Sequence, residues 1–154
     1  MVDPLPFDEE KTHRYFSAHC FNAAWELIDK TERSPEENEA MIRLAQASLW
    51  HWSQRPDCNE EKLSIGYWQA ARVYALIPEA DNARKYARLC LDITPTDRPF
   101  YLGYAYEALA RAEQAAGNPE RAAEHLQQAR RYAEQVEDAE QKQGLAKDLE
   151  SIQP

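Results

Sequence analysis

Two stretches of this chain, 39 residues apart, carry the same kinds of small and apolar side chain at equivalent positions. Tyr67 and Ala71 in one stretch correspond to Tyr106 and Ala110 in the other. The correspondence continues through three further pairs, which are Ala83 with Ala122, Ala87 with Leu126, and Cys90 with Ala129. Self-similarity at such a period is typical of repeat proteins, in which each unit buries its apolar face against a neighbour. We therefore expect stacked copies of one small unit.

A weaker copy of the pattern lies a further 43 residues towards the N-terminus. Its first half is carried by Ala24, Leu27 and Ile28, and its second half by Ala40, Leu44 and Ala47. Small side chains allow two helices to approach closely, while larger ones fill the space between them. The sequence thus indicates three units rather than two.

The spacing of apolar residues is helical almost throughout, and strand-like alternation is absent. Helix starts are marked by the capping box at Ser34 and Glu37, by Asn118-Pro119 after the helix stop Gly117, and by Asp138. These signals predict an all-α fold of seven helices, at about 8–32, 35–54, 59–77, 79–93, 98–116, 119–136 and 139–152. Because the connections are short, neighbouring helices are expected to form antiparallel pairs.

The best-marked unit resembles the tetratricopeptide repeat (TPR). The matching residues are Tyr106, Leu109, Ala110, Gly117, Ala122, Leu126 and Ala129. The unit departs from the TPR pattern at Glu113, where the family has tyrosine, and at Glu134, where it often has proline. Segments such as "NAAWELIDK" and "MIRLAQASLWHW" also resemble a bacterial family of short TPR-like proteins.

The resemblance implies one domain over 1–154, built as a right-handed solenoid of antiparallel helix pairs. Its three units would span about 8–54, 59–95 and 98–136, and the helix at 139–152 would cap the array. Leu145, Leu149 and Ile152 share one face of that last helix and are expected to be its buried side.

In TPR arrays the first helices of successive units line a concave groove. Transferring that arrangement by position gives three columns of groove residues. These columns are Asn22, Ile65 and Tyr104; then Trp25, Trp68 and Glu107; then Asp29, Arg72 and Arg111. In one interpretation the aromatic rings stack on a ligand while the arginines bind its carboxylate or phosphate. In the other, the arginines pair with Asp29 and Glu107, and the tryptophans pack against neighbouring helices.

The segment "SLWHW" places three large side chains at the end of the second predicted helix. Helical periodicity assigns Trp52 to the core and His51 to its edge. The ring nitrogens of His51 are then expected to be hydrogen-bonded. The alternative is that His51 contacts a ligand or responds to pH. Trp50 shares a face with polar residues. It is therefore a candidate surface contact, either exposed or covered by another segment or chain.

Composition restricts the classes of function. The net charge of −9 disfavours nucleic acid and anionic membrane as partners, and no apolar run is long enough to span a bilayer. Three widely spaced cysteines, Cys20, Cys58 and Cys90, suit reduced thiols in the cytoplasm. Cys58, in a loop, is the candidate for the most reactive thiol. No motif for catalysis, metal binding or a cofactor occurs.

These observations predict a non-catalytic cytoplasmic module that binds a protein or peptide segment in the groove. The groove residues are Trp25, Asp29, Trp68, Arg72, Tyr104, Glu107 and Arg111. Two alternatives remain open: a sensor or carrier that binds a small anionic metabolite in the same groove, and a module that self-associates through the face bearing Trp50.

Overall fold

The computed structural model describes residues 4–153, which contain seven helices and no strand. The helices are α1 (Glu9–Ile28), α2 (Pro35–Ser53), α3 (Glu60–Leu76), α4 (Ala80–Ile93), α5 (Pro99–Ala115), α6 (Pro119–Glu134) and α7 (Ala139–Glu150). The predicted all-α class is confirmed, and each of the seven predicted helices lies where the sequence placed it. No helix among the described residues combines the length and apolar character needed to cross a membrane.

Two of the predicted helix starts are capped as expected. At α2 the Ser34 hydroxyl accepts the backbone N–H of Glu37, and the Glu37 carboxylate accepts that of Ser34. At α7 Asp138 accepts the backbone N–H of Gln141. These bonds satisfy backbone donors that the first helical turn leaves without intrahelical partners.

The turn between α5 and α6 uses a different arrangement. Gly117 ends α5 at a φ of 76°, a left-handed conformation that glycine adopts without a steric penalty. The Asn118 side chain does not cap α6; its Nδ2 instead donates to the Glu113 carboxylate at 2.8 Å. The predicted start at Asn118-Pro119 is therefore in the right place, although the Asn118 side-chain amide binds a residue of α5 instead of capping α6.

Helix α1 ends at Ile28, four residues before the predicted end at 32. The cause is the side chain of Arg33, whose Nη1 donates to the carbonyls of Leu27 and Lys30 at 3.2 and 2.6 Å. A cation that binds the last carbonyls of a helix satisfies acceptors and complements the helix dipole. Arg33 therefore closes α1 from beyond its end.

The chain forms two compact units, one through Asn59 and the other from Glu60 onward. In the first unit α1 and α2 are antiparallel: His51 near the end of α2 contacts His13 near the start of α1, and Ser48 donates to the Ser17 carbonyl in the middle of α1. Buried small and apolar side chains hold this pair together, namely Cys20, Ala24, Ile28, Met41 and Ala45.

The second unit contains two antiparallel pairs, α3 with α4 and α5 with α6. In the first pair Ser64 meets Thr94, with 2.8 Å between their hydroxyl oxygens, so the start of α3 lies beside the end of α4. Helix α5 also packs against both α3 and α4. A core of small side chains fills the contact between the pairs, formed by Ala71, Ala83, Ala87, Ala108, Leu109 and Ala112.

Helix α7 covers α5 and α6 with the face predicted from its sequence. Leu145, Leu149 and Ile152 are all buried in a cluster with residues of α5 and α6. The approach to α5 is close at Gly103, since a Cβ there would lie 2.5 Å from Leu145 Cδ2. Glycine at this position therefore allows α7 to seat against α5.

Equivalent contacts recur between the two pairs of the second unit. The Tyr67 and Tyr86 rings lie 6.3 Å apart and tilted by 32°, and the Tyr106 and His125 rings lie 6.2 Å apart and tilted by 35°. Both members of the second contact are 39 residues after those of the first. The spacing found in the sequence is thus also a repeat of side-chain geometry.

The predicted spacing of 43 residues does not describe the first pair. In the first pair the Ser48 hydroxyl donates to the Ser17 carbonyl. In the second pair the Cys90 thiol donates in the same way to the Ser64 carbonyl. Ser17 then corresponds to Ser64 at a spacing of 47, and Ser48 to Cys90 at 42. The connection at 29–34 is longer than the one at 77–79, so a single spacing cannot align both helices.

Candidate functional site

The predicted groove residues of the second unit meet around the carboxylate of Glu107. Trp68 on α3 donates its indole N–H to Oε2 at 2.7 Å, and Arg72, one turn later, donates from Nη1 to Oε1 at 3.0 Å. Arg111, one turn after Glu107 on α5, also pairs with Oε1. Glu107 is only 1% exposed. Its buried charge is stabilised by these donors, as a carboxylate removed from water requires.

A second acidic residue, Asp148 of α7, lies next to Tyr104 and Arg111. Tyr104 donates its hydroxyl to Asp148 Oδ2 of α7 at 2.7 Å. Arg111 reaches the same place and donates to the Asp148 carbonyl and the Ser151 hydroxyl, at 3.3 and 2.8 Å. Two guanidinium groups therefore share a region with two carboxylates, those of Glu107 and Asp148. The middle of the predicted groove is balanced in charge.

Tyr104 is held by packing as well as by its hydroxyl. Its ring lies 5.1 Å from that of Trp68 in an edge-to-face arrangement, a geometry that aromatic pairs favour. Burial raises the pKa of the Tyr104 hydroxyl, and its hydrogen bond to Asp148 raises it further. The neutral phenol therefore acts as a fixed donor that joins α5 to α7.

Beside this network lies an apolar cleft of about 250 Å³ between α3 and α5. It is lined by Ser64, Ile65, Trp68, Phe100, Tyr101 and Tyr104. Ile65, Trp68 and Tyr104 were predicted to face one groove from the repeat pattern, and the structure brings these three together. The Ser64 hydroxyl is engaged with Thr94, so the lining is mainly aromatic and aliphatic.

Sequence reasoning missed Phe100 and Tyr101, which form one wall of the apolar cleft. Both follow Pro99 at the start of α5, and the Phe100 and Tyr104 rings lie 5.2 Å apart. Aromatic residues spaced four apart on a helix lie on one face, so the segment "PFYLGY" contained a usable signal. Asp148 was also missed, because no local pattern connects α7 to a residue on α5.

Two predicted groove residues, Trp25 and Asp29, belong to the first unit. The Trp25 ring contacts that of Phe21 at 6.4 Å, and Asp29 follows the last turn of α1, where its backbone N–H binds the carbonyl of Trp25. On the observed spacing of 47, Phe21 rather than Trp25 corresponds to Trp68. That Trp25 and Asp29 contact a ligand stays a prediction.

The three large side chains of "SLWHW" have separate surroundings. Trp50 is 55% exposed and forms edge-to-face contacts with the rings of His13 and His51. The prediction that Trp52 belongs to the core is wrong in degree: Trp52 is half-buried, and the Arg55 guanidinium lies 3.7 Å from its ring centroid. This cation–π contact covers the indole at the surface.

His51 lies at the edge of the core, as predicted, with an unexpected partner. Its Nδ1 is 2.8 Å from Nδ1 of His13 on α1, and Phe16 stacks on its ring. Burial lowers the pKa of His51, and the neighbouring His13 lowers it further. Thirty-eight residues separate the two histidines in the chain, so neither helix pattern alone could pair them.

Glu113, which departs from the TPR pattern, links three helices. Its carboxylate accepts two hydrogen bonds from Arg84 of α4, at 3.0 and 2.9 Å, and one from Asn118. It also lies 3.9 Å from Arg121 of α6. The hydrogen bonds from Arg84, more than any other factor, lower the pKa of Glu113 to about 2. A buried carboxylate paired with a partly exposed arginine thus occupies the place of the usual aromatic side chain.

Within residues 4–153, no three histidine, cysteine or acidic side chains are grouped so that they could hold a metal ion. No protein-family model matches the chain, and neither a curated protein nor a solved structure is significantly similar to it.

Proposed function

We propose that the chain is a TPR-like helical-repeat module that binds a segment of another protein at the apolar cleft between α3 and α5. The observation that carries this proposal is the cleft itself, where Trp68, Tyr104 and Ile65 converge with Phe100 and Tyr101. Aromatic side chains bury much area with few rotatable bonds, and they are enriched where proteins bind one another.

The repeat supports the TPR-like assignment. Helices α3 and α4, and then α5 and α6, form successive antiparallel pairs with equivalent ring contacts, and α7 covers the last pair. A solenoid of three such pairs, with the first formed by α1 and α2, is our extension of that pattern. In this arrangement α3 and α5 are first helices of their units, which is where TPR proteins bind peptides.

The network around Glu107 gives the cleft a rigid edge. Trp68 and Tyr104 each have their polar atom fixed by a carboxylate, at 2.7 Å in both cases. Side chains held by such bonds lose less rotational freedom when a ligand arrives. The cleft is therefore pre-organised for an apolar side chain of a partner.

The same network gives less support to a small anionic metabolite. Arg72 and Arg111 both pair with Glu107, and Arg111 also binds the Asp148 carbonyl and Ser151. An anion would have to compete with the buried Glu107 carboxylate for these donors. If it succeeded, it would leave that carboxylate buried without a partner, which is energetically costly.

Selection from an unbiased phage-displayed peptide library tests the proposal. Peptides recovered on the whole chain should perturb backbone amide signals of α3 and α5 in NMR titrations. Binding should be lost in Ile65→Asp, which places a charge in the cleft. The control Gln143→Asp, at an exposed position on α7, places the same charge outside the cleft and should bind normally. Perturbations confined to other helices, or unchanged binding by Ile65→Asp, would refute the cleft as the site.

Self-association is a second candidate because the first unit exposes several aromatic rings. Tyr15 is 60% exposed, Phe16 39% and Trp50 55%, and large apolar side chains at a surface often mark an interface. Sedimentation velocity at two concentrations tests this candidate. A shift towards a dimer that Trp50→Ser abolishes would support it, and a monomer at both concentrations would eliminate it.

A further inference from the structure

The apolar cleft adjoins a larger hollow of about 640 Å³, and the two share Phe100 and Tyr101 in their walls. We call this second feature the acidic hollow. It is lined by four acidic residues and one basic residue, namely Glu61, Asp97, Glu137, Asp138 and Arg98, together with polar and apolar side chains. Both features lie within the second unit.

The charges of the acidic hollow are only partly compensated by its own residues. Arg98 pairs with Glu61 at 2.6 Å, and Asp138 accepts the helix-capping bond from Gln141. Asp97 and Glu137 are exposed, and neither forms an ion pair within residues 4–153. The hollow therefore has an excess of negative charge, whereas the opposite side of the apolar cleft, around Glu107, is balanced.

This difference in charge between the two sides of the apolar cleft indicates which kind of segment binds there. We infer that the segment bound at the cleft is cationic: an apolar side chain fills the cleft, and a neighbouring lysine or arginine lies in the acidic hollow. The inference rests on the proposed function and names its partner class. Because the two features share walls, a basic residue next to the apolar one in the bound segment lies beside the acidic hollow.

The wall that the cleft and the acidic hollow share, formed by Phe100 and Tyr101, also favours a cationic segment. A lysine or arginine that enters the acidic hollow passes the rings of Phe100 and Tyr101, whose faces attract cations. The overall charge of −9 also steers basic segments towards the chain and slows acidic ones. Attraction of this kind weakens with added salt, because exposed charges are screened.

Fluorescence anisotropy with four labelled synthetic peptides tests the inference. The peptides share a Gly/Ser framework and differ only in the anchor, leucine or alanine, and in its two flanking residues, both lysine or both glutamate. We expect the leucine–lysine peptide to bind about tenfold more tightly than the leucine–glutamate peptide. This ratio should fall several-fold in Asp97→Asn/Glu137→Gln and in about 1 M NaCl, where charges are screened within roughly 3 Å.

A matched control is Asp92→Asn/Glu124→Gln, which removes one exposed aspartate and one exposed glutamate outside the acidic hollow. It should keep the full preference for lysine. Equal binding of the two leucine peptides, or a preference for glutamate, would overturn the cationic segment and leave the proposed function standing. No binding of any peptide, including those selected from the library, would contradict both. A dimer that Ile65→Asp dissociates would assign the cleft to a second copy and overturn the inference.

Discussion

Trp68 donates its indole N–H to Glu107 across 39 residues of chain, and the two residues occupy the same position in successive repeats. A tryptophan and a glutamate at equivalent places thus form a direct bond between α3 and α5. Arg72 and Arg111, which are also equivalent to each other, complete the arrangement from the next turn of each helix. Equivalent positions of the two repeats therefore form a polar network that joins α3 to α5.

Glu107→Gln should lower the free energy of unfolding by about 3 kcal/mol, since removing one partner of a buried ion pair leaves the other charges without compensation. The amide keeps the size of the side chain, so the loss reports charge rather than packing. Urea denaturation followed by circular dichroism measures it. The control Glu124→Gln, on the exposed face of α6, should unfold like the original chain. Equal stability of both variants would show that the network does not hold α3 to α5.

The network also shows what the sequence could reveal and what it could not. The columns of the repeat placed Trp68 with Glu107, and Arg72 with Arg111, because helical periodicity fixes which residues share a face. The same reasoning could not choose between ligand binding and internal pairing for the arginines. That choice depends on the three-dimensional contacts of Glu107 and on Asp148, which lies on a helix outside the repeat.

Local signals were reliable where one turn of helix decides the outcome. The capping box at Ser34 is an example, since its two bonds join residues three apart. Contacts over long separations were missed, as for His13 with His51 and Tyr104 with Asp148. Periodicity gives the face of a helix but not the depth of burial, which is why Trp52 is half-buried under Arg55 rather than fully buried in the core.

Acid should destabilise the second unit through Glu113. Its pKa in the folded chain is about 2, against 4.5 for an unperturbed carboxyl, so the unfolded chain binds a proton at a higher pH than the folded one. The stabilisation is complete above about pH 5 and declines as the pH falls towards 2. Glu113→Gln should lose roughly 1.5–3 kcal/mol at neutral pH, as expected for a hydrogen bond to a charged group.

Thermal melts of the original chain and Glu113→Gln at pH 7 and pH 3 check both effects. The difference between the two chains should be large at pH 7 and smaller at pH 3. Glu124→Gln, at an exposed position in the middle of α6, is a suitable control. A constant difference at both pH values would contradict the role assigned to the Arg84–Glu113 pair.

The histidine pair should make the first unit sensitive to mild acid. The folded pKa of His51 is below its ordinary value of 6.5, so the unfolded chain takes up the proton first and stability falls as the pH drops below about 6.5. The bond between the two Nδ1 atoms also requires that one of them lacks a proton. Glu9, 3.8 Å from His13 Nε2, is the acidic group that faces the pair from α1.

Hydrogen exchange of α1 and α2, corrected for the intrinsic effect of pH, measures this sensitivity. Protection should decrease between pH 7.5 and about 5.5, over the range in which histidine titrates. In His51→Gln the decrease should be smaller, while His19→Gln, at an exposed position on the same unit, should behave like the original chain. Unchanged protection in the original chain across this range would count against the histidine pair as a pH-responsive contact.

Helix α7 should be necessary for the stability of the second unit. Leu145 is fully buried against Gly103 of α5, and glycine has no side chain that could move into the space left by a smaller residue. Leu145→Ala should therefore lower the free energy of unfolding by about 2–5 kcal/mol, the range for large-to-small changes in a core. Gln143→Ala, two residues earlier and exposed, should cost little. Comparable stability of the two variants in urea would show that α7 is only loosely attached.

The three cysteines should differ in reactivity according to their burial. Cys58 is half-buried in the loop after α2, Cys20 is 7% exposed, and Cys90 is fully buried beside Ser64 and Thr94. Burial raises the pKa of Cys90 to about 12, so almost no thiolate forms near neutral pH, and the thiolate is the nucleophile. Iodoacetamide labelling followed by peptide mass spectrometry should modify Cys58 first, with Cys90 reacting only after denaturation. Modification of Cys90 in the folded chain at the rate of Cys58 would mean that the contact between α3 and α4 opens more readily than its packing indicates.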